Sequence, residues 1–154
     1  NFKKHNSSIG DDFIVQYFKA SQFYENLNLL ILLTDDKFEK KYKSILVEFS
    51  KDNDPEVILN YEEEDVINIY NSNIKNTIKL KIRNEVFINI IKNLEPWENM
   101  TIGFQAKFDR FPDVYNSKFW HHFTDNYTKF KAVRLAAECG GCELISQSLV
   151  SSTK

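Results

Sequence analysis

The spacing of apolar residues changes period along this chain, and that change limits the fold more than any other feature. From Thr77 to Ile82 apolar and polar residues alternate strictly, which predicts a β-strand with its lysines facing water. From Asn84 to Leu94 the apolar residues recur every three or four positions, which predicts a helix that Asn84 caps and Pro96 ends. Strand and helix therefore follow one another directly in this part of the chain.

The other predicted elements are grouped rather than alternating. The patterns predict strands over 29–33, 42–49, 57–61 and 66–70, and helices over 12–25 and 117–138. Blocks of strands beside blocks of helices are typical of an antiparallel sheet with helices packed on it. The sequence therefore predicts an α+β fold, with a mainly antiparallel sheet of about five strands covered by helices and a long C-terminal helix.

The cleanest β pattern lies between positions 100 and 108. Five apolar residues alternate there with polar residues and one glycine: Met100, Ile102, Phe104, Ala106 and Phe108. This alternation predicts a strand over 100–108 with all five side chains on one face of the sheet.

The length of 154 residues fits one domain over 1–154, with residues 146–154 as a frayed tail. The chain starts at Asn1 without an initiator Met, a signal peptide or a transit segment, so we expect it to be part of a longer polypeptide. With only two cysteines there is no disulfide framework, which predicts a reducing, cytoplasmic location.

Charge and hydropathy exclude two classes of partner. The net charge is −2 and the chain has three arginines, so there is no basic footprint for nucleic acid. The longest apolar run, Leu29 to Leu33, is far shorter than the roughly 20 residues that span a bilayer. We therefore expect no nucleic acid partner and no membrane span.

Cys139 and Cys142 have the C-x-x-C spacing of half a zinc site, and His121 and His122 offer imidazoles. A continuous helix over 117–138 would separate His122 from Cys139 by roughly 25 Å, too far to share an ion. A redox pair would need the first cysteine at a helix N-terminus, whereas here it follows a helix. We predict no metal site and no cofactor, with two free thiols, while the zinc and redox alternatives stay open.

Two charged features have both a structural and a functional interpretation. His121 and Asp125 share a helix face and could support acid–base chemistry, but the sequence holds no nucleophile motif, so a surface pair is favoured. The acidic run 62–65 is most simply a solvated turn, with a cation site or a basic partner as the alternative. The chain alone is expected to be noncatalytic.

Aromatic residues are concentrated between positions 97 and 123. Core packing explains such crowding, and a cavity for an apolar ligand between sheet and helices is the alternative. The side chains that the periodicities turn toward such a cavity are Ile90, Phe104, Phe108, Phe119 and Phe123.

Part of the chain resembles a known family. The strand 77–82, the helical segment 86–91, Trp97 and the stretch 100–104 are similar to the second half of a sterol-carrier-protein-2-like domain. The stretch 103–115 also resembles C-terminal regions that follow metallo-β-lactamase-fold hydrolase domains in some bacterial proteins. The resemblance covers about a third of the chain, which departs from the family by continuing into the 117–138 helix.

The resemblance implies a five-stranded sheet with helices on one face and an apolar tunnel. It also implies a noncatalytic accessory domain that binds an acyl or sterol-like molecule. The alternative is an oligomerisation or docking module, forming a homodimer or contacting a catalytic metallo-hydrolase domain of the same longer chain. The sequence does not separate these two functions.

Overall fold

A computed structural model describes residues 10–61 and 76–126 of the chain. The elements, in chain order, are α1 Asp11–Lys19, β1 Leu27–Thr34, β2 Lys41–Phe49, β3 Glu56–Leu59, β4 Asn76–Arg83, α2 Asn84–Asn93, a 3-10 turn Trp97–Met100, β5 Ala106–Phe111, α3 Ser117–His121 and a π-helical turn His122–Asn126. Strands and helices coexist in one core, which confirms the α+β prediction.

The five strands form one mixed sheet in the order β3-β2-β1-β4-β5. β1 and β4 run parallel at its centre, and the other neighbouring pairs are antiparallel. The prediction of a mainly antiparallel sheet was therefore wrong. Alternation within a strand determines which side chains face the core, but not the direction of the neighbouring strand.

β1 is the middle strand of the sheet. All eight of its residues are buried, so the strand is covered on both faces. Strands buried on both faces have continuous apolar runs rather than alternating patterns. The prediction of a strand over 29–33 is confirmed, and the strand extends over Leu27–Thr34.

One face of the sheet, here called the front face, carries the main hydrophobic core. Its side chains in β1, β2 and β4 are Leu27, Leu29, Ile31, Leu33, Ile45, Val47, Phe49, Ile78, Leu80 and Ile82. The buried residues of α1, α2 and α3 pack on this face together with Trp97 and Met100. Trp97 lies at the centre of this layer, with its ring edge-on to Phe18 and Phe119.

The predicted strand over 100–108 was wrong in its first half. Met100 is buried at the end of the 3-10 turn, residues 101–104 form a turn, and β5 begins only at Ala106. Gly103 and Phe104 both have positive φ, 75° and 58°, which no strand tolerates. Ile102 is 68% exposed and Phe104 92% exposed, so neither reaches the core.

Two helix predictions differ at their ends. α1 stops at Lys19, short of the predicted residue 25, and Gln22 follows with a positive φ of 52° before Phe23 returns to the core. α3 begins at Ser117 as predicted and continues as the π-helical turn to Asn126. The described chain ends there, so a long helix to residue 138 is not part of the fold described here.

Several predictions fall outside the described residues. They are the acidic run 62–65, the strand over 66–70, the remainder of the 117–138 helix, Cys139 and Cys142, and the 146–154 tail. Among the helices of residues 10–61 and 76–126, none is both long and apolar enough to cross a membrane.

Candidate functional site

The structure separates the five residues that were predicted to line a tunnel. Ile90, Phe119 and Phe123 are buried in the core, and the rings of Phe119 and Phe123 lie 4.8 Å apart. Phe108 is half-buried on the front face of β5. Phe104 lies in solvent on the 101–104 turn. Of the five residues, Phe108 alone lines the groove described below.

That groove, here called the β5 groove, lies between the front face of β5 and the helical segment that starts at Ser117. Its volume is about 640 Å³, within the range of small-molecule sites. It is lined by Ile78, Glu98, Thr101, Phe108, Arg110, Tyr115, Ser117, Trp120, His121, Thr124 and Asp125.

One wall of the β5 groove is aromatic. Phe108 and Trp120 contact each other edge to face with ring centroids 5.0 Å apart. Tyr115 is 62% exposed beside them, on the loop before α3. Aromatic rings of this kind offer a large apolar surface, and the Tyr115 hydroxyl and the Trp120 indole add polar atoms.

The other wall is polar and its charges are largely paired. Nδ1 of His121 lies 2.8 Å from Oδ2 of Asp125, one turn further along the chain. Nη2 of Arg110 donates to Oδ1 of Asp113 at 2.8 Å. Glu98 adds a carboxylate that has no basic partner among the described residues. This wall offers many hydrogen-bonding groups, and its three carboxylates outnumber its one guanidinium.

Three contacts of the α3 segment fix the polar wall to the rest of the fold. Phe123 is fully buried and packs against Trp97 with centroids 4.7 Å apart. Lys118 donates to Glu25 at 2.7 Å, just before β1. The Nε2 atom of His122 lies 2.5 Å from the carbonyl oxygen of Ser21. His121 and Asp125 are therefore carried on a segment whose opposite side is anchored in the core.

His122 makes the stability of this anchor pH-dependent. Burial lowers the pKa of the imidazole below its ordinary value, the neighbouring His121 lowers it further, and the Ser21 carbonyl opposes them. His122 is therefore neutral in the folded protein at neutral pH. Below about pH 6.5 the unfolded chain takes up this proton before the folded chain does, so the free energy of unfolding falls with pH until the folded pKa is reached.

We expect His122→Gln to reduce the slope of melting temperature against pH below about pH 6.5, because glutamine keeps a donor for Ser21 but does not titrate. His121→Gln is the matched control at the adjacent exposed position. It removes only the smaller contribution of His121 to the lowered pKa of His122, so it should keep most of the slope that His122 produces. Thermal unfolding by circular dichroism at several pH values measures both. Equal slopes in the wild type and in His122→Gln would contradict the assignment.

The groove also brings together residues with catalytic potential. Ser117, His121 and Asp125 are spaced by four positions and all line it. No hydrogen bond joins Ser117 to His121 in the described structure, so the serine has no base in contact to activate it. The described residues also contain no group of three or more His, Cys, Asp or Glu placed to hold a metal.

Sequence reasoning missed most of the groove. It singled out Phe108 and the His121–Asp125 pair, but not Glu98, Arg110 or Tyr115 as site residues. Arg110 could have been predicted from the sequence, because it lies two residues after Phe108 in β5 and therefore on the same face of the strand. The other two lie on a 3-10 turn and a loop, where no periodicity indicates which way a side chain points.

Comparisons with known proteins give short local matches. A stretch of 45 residues, 29% of the chain, is 38% identical to cytidine monophosphate-N-acetylneuraminic acid hydroxylase of Sus scrofa and covers 10% of that protein. The Danio rerio hydroxylase is 40% identical over 45 residues, and the inactive Homo sapiens protein 42% identical over 41, each match covering 8% of the relative. No family model and no solved structure matches the chain. The chain thus matches about a tenth or less of the length of these relatives.

Proposed function

We propose that this chain is an accessory domain of a larger protein and binds a sugar-containing ligand in the β5 groove. The observation that carries the proposal is the pairing of an aromatic wall with a polar wall that is rich in hydrogen-bonding groups. The C–H faces of a sugar ring pack on aromatic side chains such as Phe108, Tyr115 and Trp120. Its hydroxyl groups both donate and accept, which suits carboxylates, a guanidinium and an imidazole together.

The pairing of the basic side chains in the polar wall favours a hydroxylated ligand over a simple anion. Asp113 neutralises Arg110, and Asp125 is paired with His121, so neither basic side chain is free to bind an anion alone. Hydrogen bonds to charged groups are about twice as strong as neutral ones, which favours hydroxyls placed against these pairs. Arg110 is already paired with Asp113, so a carboxylate on the sugar would have to compete with Asp113 in order to bind Arg110.

The partial relatives support a sugar as the ligand class. Their name specifies a nucleotide-linked sugar acid as the compound that is hydroxylated, and its acid groups would have to displace Asp113 in order to bind Arg110. The match is too short to carry that reaction to this chain, and it supports only a shared ligand chemistry. It also supports the expectation that the domain works as a small part of a longer protein.

Isothermal titration calorimetry of the chain tests the proposal with two classes of compound, sugars and a fatty acid. The sugars are galactose, N-acetylneuraminic acid and its cytidine monophosphate conjugate, and a long-chain fatty acid represents the acyl and sterol-like ligands. A sugar should bind, and Tyr115→Ala should weaken it about 3- to 10-fold, since aromatic contacts contribute about 0.5–1.5 kcal/mol. Tyr42→Ala is the matched control, because Tyr42 is similarly exposed but lies on β2 outside the groove.

The outcomes separate the ligand classes. If the fatty acid binds with a negative heat-capacity change and the sugars do not, the apolar ligand is correct and the sugar proposal fails. Ile78, Phe108 and Trp120 would then be the contacts, since they form the apolar part of the groove. If none of the compounds binds, the groove is not a small-molecule site of either class.

Docking is the second candidate function, and one observation favours it. The 101–104 turn projects Ile102 and Phe104 into solvent, and large apolar side chains exposed this far are typical of interaction sites. The occupant would be a second copy of the chain or a catalytic domain of the longer protein. Sedimentation of the isolated chain tests the first case. If two copies of the chain form a dimer through this turn, Phe104→Ser should convert the dimer to a monomer.

A further inference from the structure

The face of the sheet opposite the core, here called the back face, carries an acceptor-rich row across three strands. Glu56 in β3 lies directly opposite Glu48 in β2, and Glu48 lies directly opposite Asn28 in β1. Residues paired in this way share a face and have Cβ atoms about 4.5–5.5 Å apart. Like charges directly opposite each other are destabilising, and neither glutamate has a basic partner among the described residues.

Asn28 provides an independent sign that this row has a ligand. It is 6% exposed, and its Oδ1 atom is buried without a hydrogen-bond donor. A buried acceptor left unpaired costs free energy, so native structures pair nearly all of them with protein, water or an ion. The two neighbouring carboxylates only accept, so neither can donate a hydrogen bond to Oδ1 of Asn28 or to the other carboxylate.

We propose that Asn28, Glu48 and Glu56 bind a Ca²⁺ ion on the back face of the sheet. A carbonyl oxygen and carboxylates are the hard oxygen ligands that this ion takes, completed by water. Ca²⁺ accepts irregular coordination with six to eight ligands, whereas Mg²⁺ demands a near-ideal octahedron that a flat row of side chains does not offer. The ion would satisfy the Asn28 oxygen and remove the repulsion between the glutamates.

The proposed site is separate from the β5 groove. Its three residues point away from the front face, where Phe108 and Arg110 line the groove. Calcium binding and sugar binding can therefore succeed or fail independently.

Thermal unfolding of the chain in a CaCl₂ titration tests the proposal. For a dissociation constant of about 1 mM, as in weak calcium modules, 10 mM CaCl₂ should raise the melting temperature by about 3–8 °C. NaCl at the same ionic strength should not do so, and MgCl₂ should do so less. Glu48→Gln should melt at or above the wild-type temperature without calcium, because it removes the repulsion, and should lose most of the calcium-dependent rise.

Glu39→Gln is the matched control, because it makes the same change at an exposed position in the β1–β2 loop. It should keep the full calcium response. The proposal is overturned if CaCl₂ leaves the wild type unchanged, if Glu48→Gln responds as the wild type does, or if Glu39→Gln loses the response equally. Asn28→Ser, which keeps an oxygen but shortens the side chain, is the second variant and should weaken the response without abolishing folding.

Discussion

Trp97→Ala should lower the free energy of unfolding by about 3–5 kcal/mol, the range for deleting a large buried aromatic side chain. Trp97 is fully buried between α1, α2 and α3, and its ring contacts Phe18, Phe119 and Phe123. Its removal would leave a cavity where these helices meet on the sheet. Equilibrium unfolding in urea or guanidinium chloride measures the loss.

Trp97→Phe is the control that separates ring packing from the indole hydrogen bond. Nε1 of Trp97 donates to the hydroxyl of Tyr17 at 2.7 Å in the buried layer. Phenylalanine keeps much of the apolar contact and loses that bond, so the expected loss is smaller, about 1–3 kcal/mol. A loss below about 1 kcal/mol for Trp97→Ala would mean that this residue is not central to the core.

Phe123→Ala should also cost about 3–5 kcal/mol, and it should weaken ligand binding in the β5 groove. Phe123 is fully buried and joins the π-helical turn to the rings of Phe18, Phe49 and Trp97. His121 and Asp125 of the polar wall are carried on the same segment, so losing this anchor loosens both side chains as well.

Phe104→Ala makes the identical chemical change on an exposed side chain and is the matched control. Its effect on the free energy of unfolding should stay within about 0.5 kcal/mol, as for surface substitutions generally. Chemical denaturation of the two variants side by side compares them. Similar losses at positions 104 and 123 would show that the 101–104 turn packs into the core and that its exposure is wrong.

The strand 100–108 illustrates why a clean pattern was misleading. Alternation of Ile102 and Phe104 with polar residues can occur in a turn as well as in a strand. In a turn neither apolar side chain needs a packing partner, so the pattern alone does not fix the direction in which either side chain points. Gly103 allows the backbone to leave the β region, and Phe104 follows it into the left-handed region. Met100 is the last residue of the 3-10 turn and is buried there, so it cannot also be the first residue of a strand.

The groove shows the same division between local and distant information. The helical spacing of Phe119 and Phe123 predicted that both face inward, and both are buried. The helical spacing did not predict that Trp97, which lies in a different element, packs against both Phe119 and Phe123. Glu98, Arg110 and Tyr115 come from three separate segments, so only the packing of those segments brings them to one groove.

The sequence by itself determined the elements whose side chains repeat with a fixed period. β1, β2, β4 and α2 agree with prediction to within a few residues, because alternation and helical spacing report which face of a single element is buried. Only the tertiary structure decided the parallel pairing of β1 with β4, the exposure of Phe104 and the juxtaposition of Asn28 with Glu48. The pairing of β1 with β4 and the juxtaposition of Asn28 with Glu48 depend on contacts between residues distant in the chain, and such contacts leave no period in the sequence.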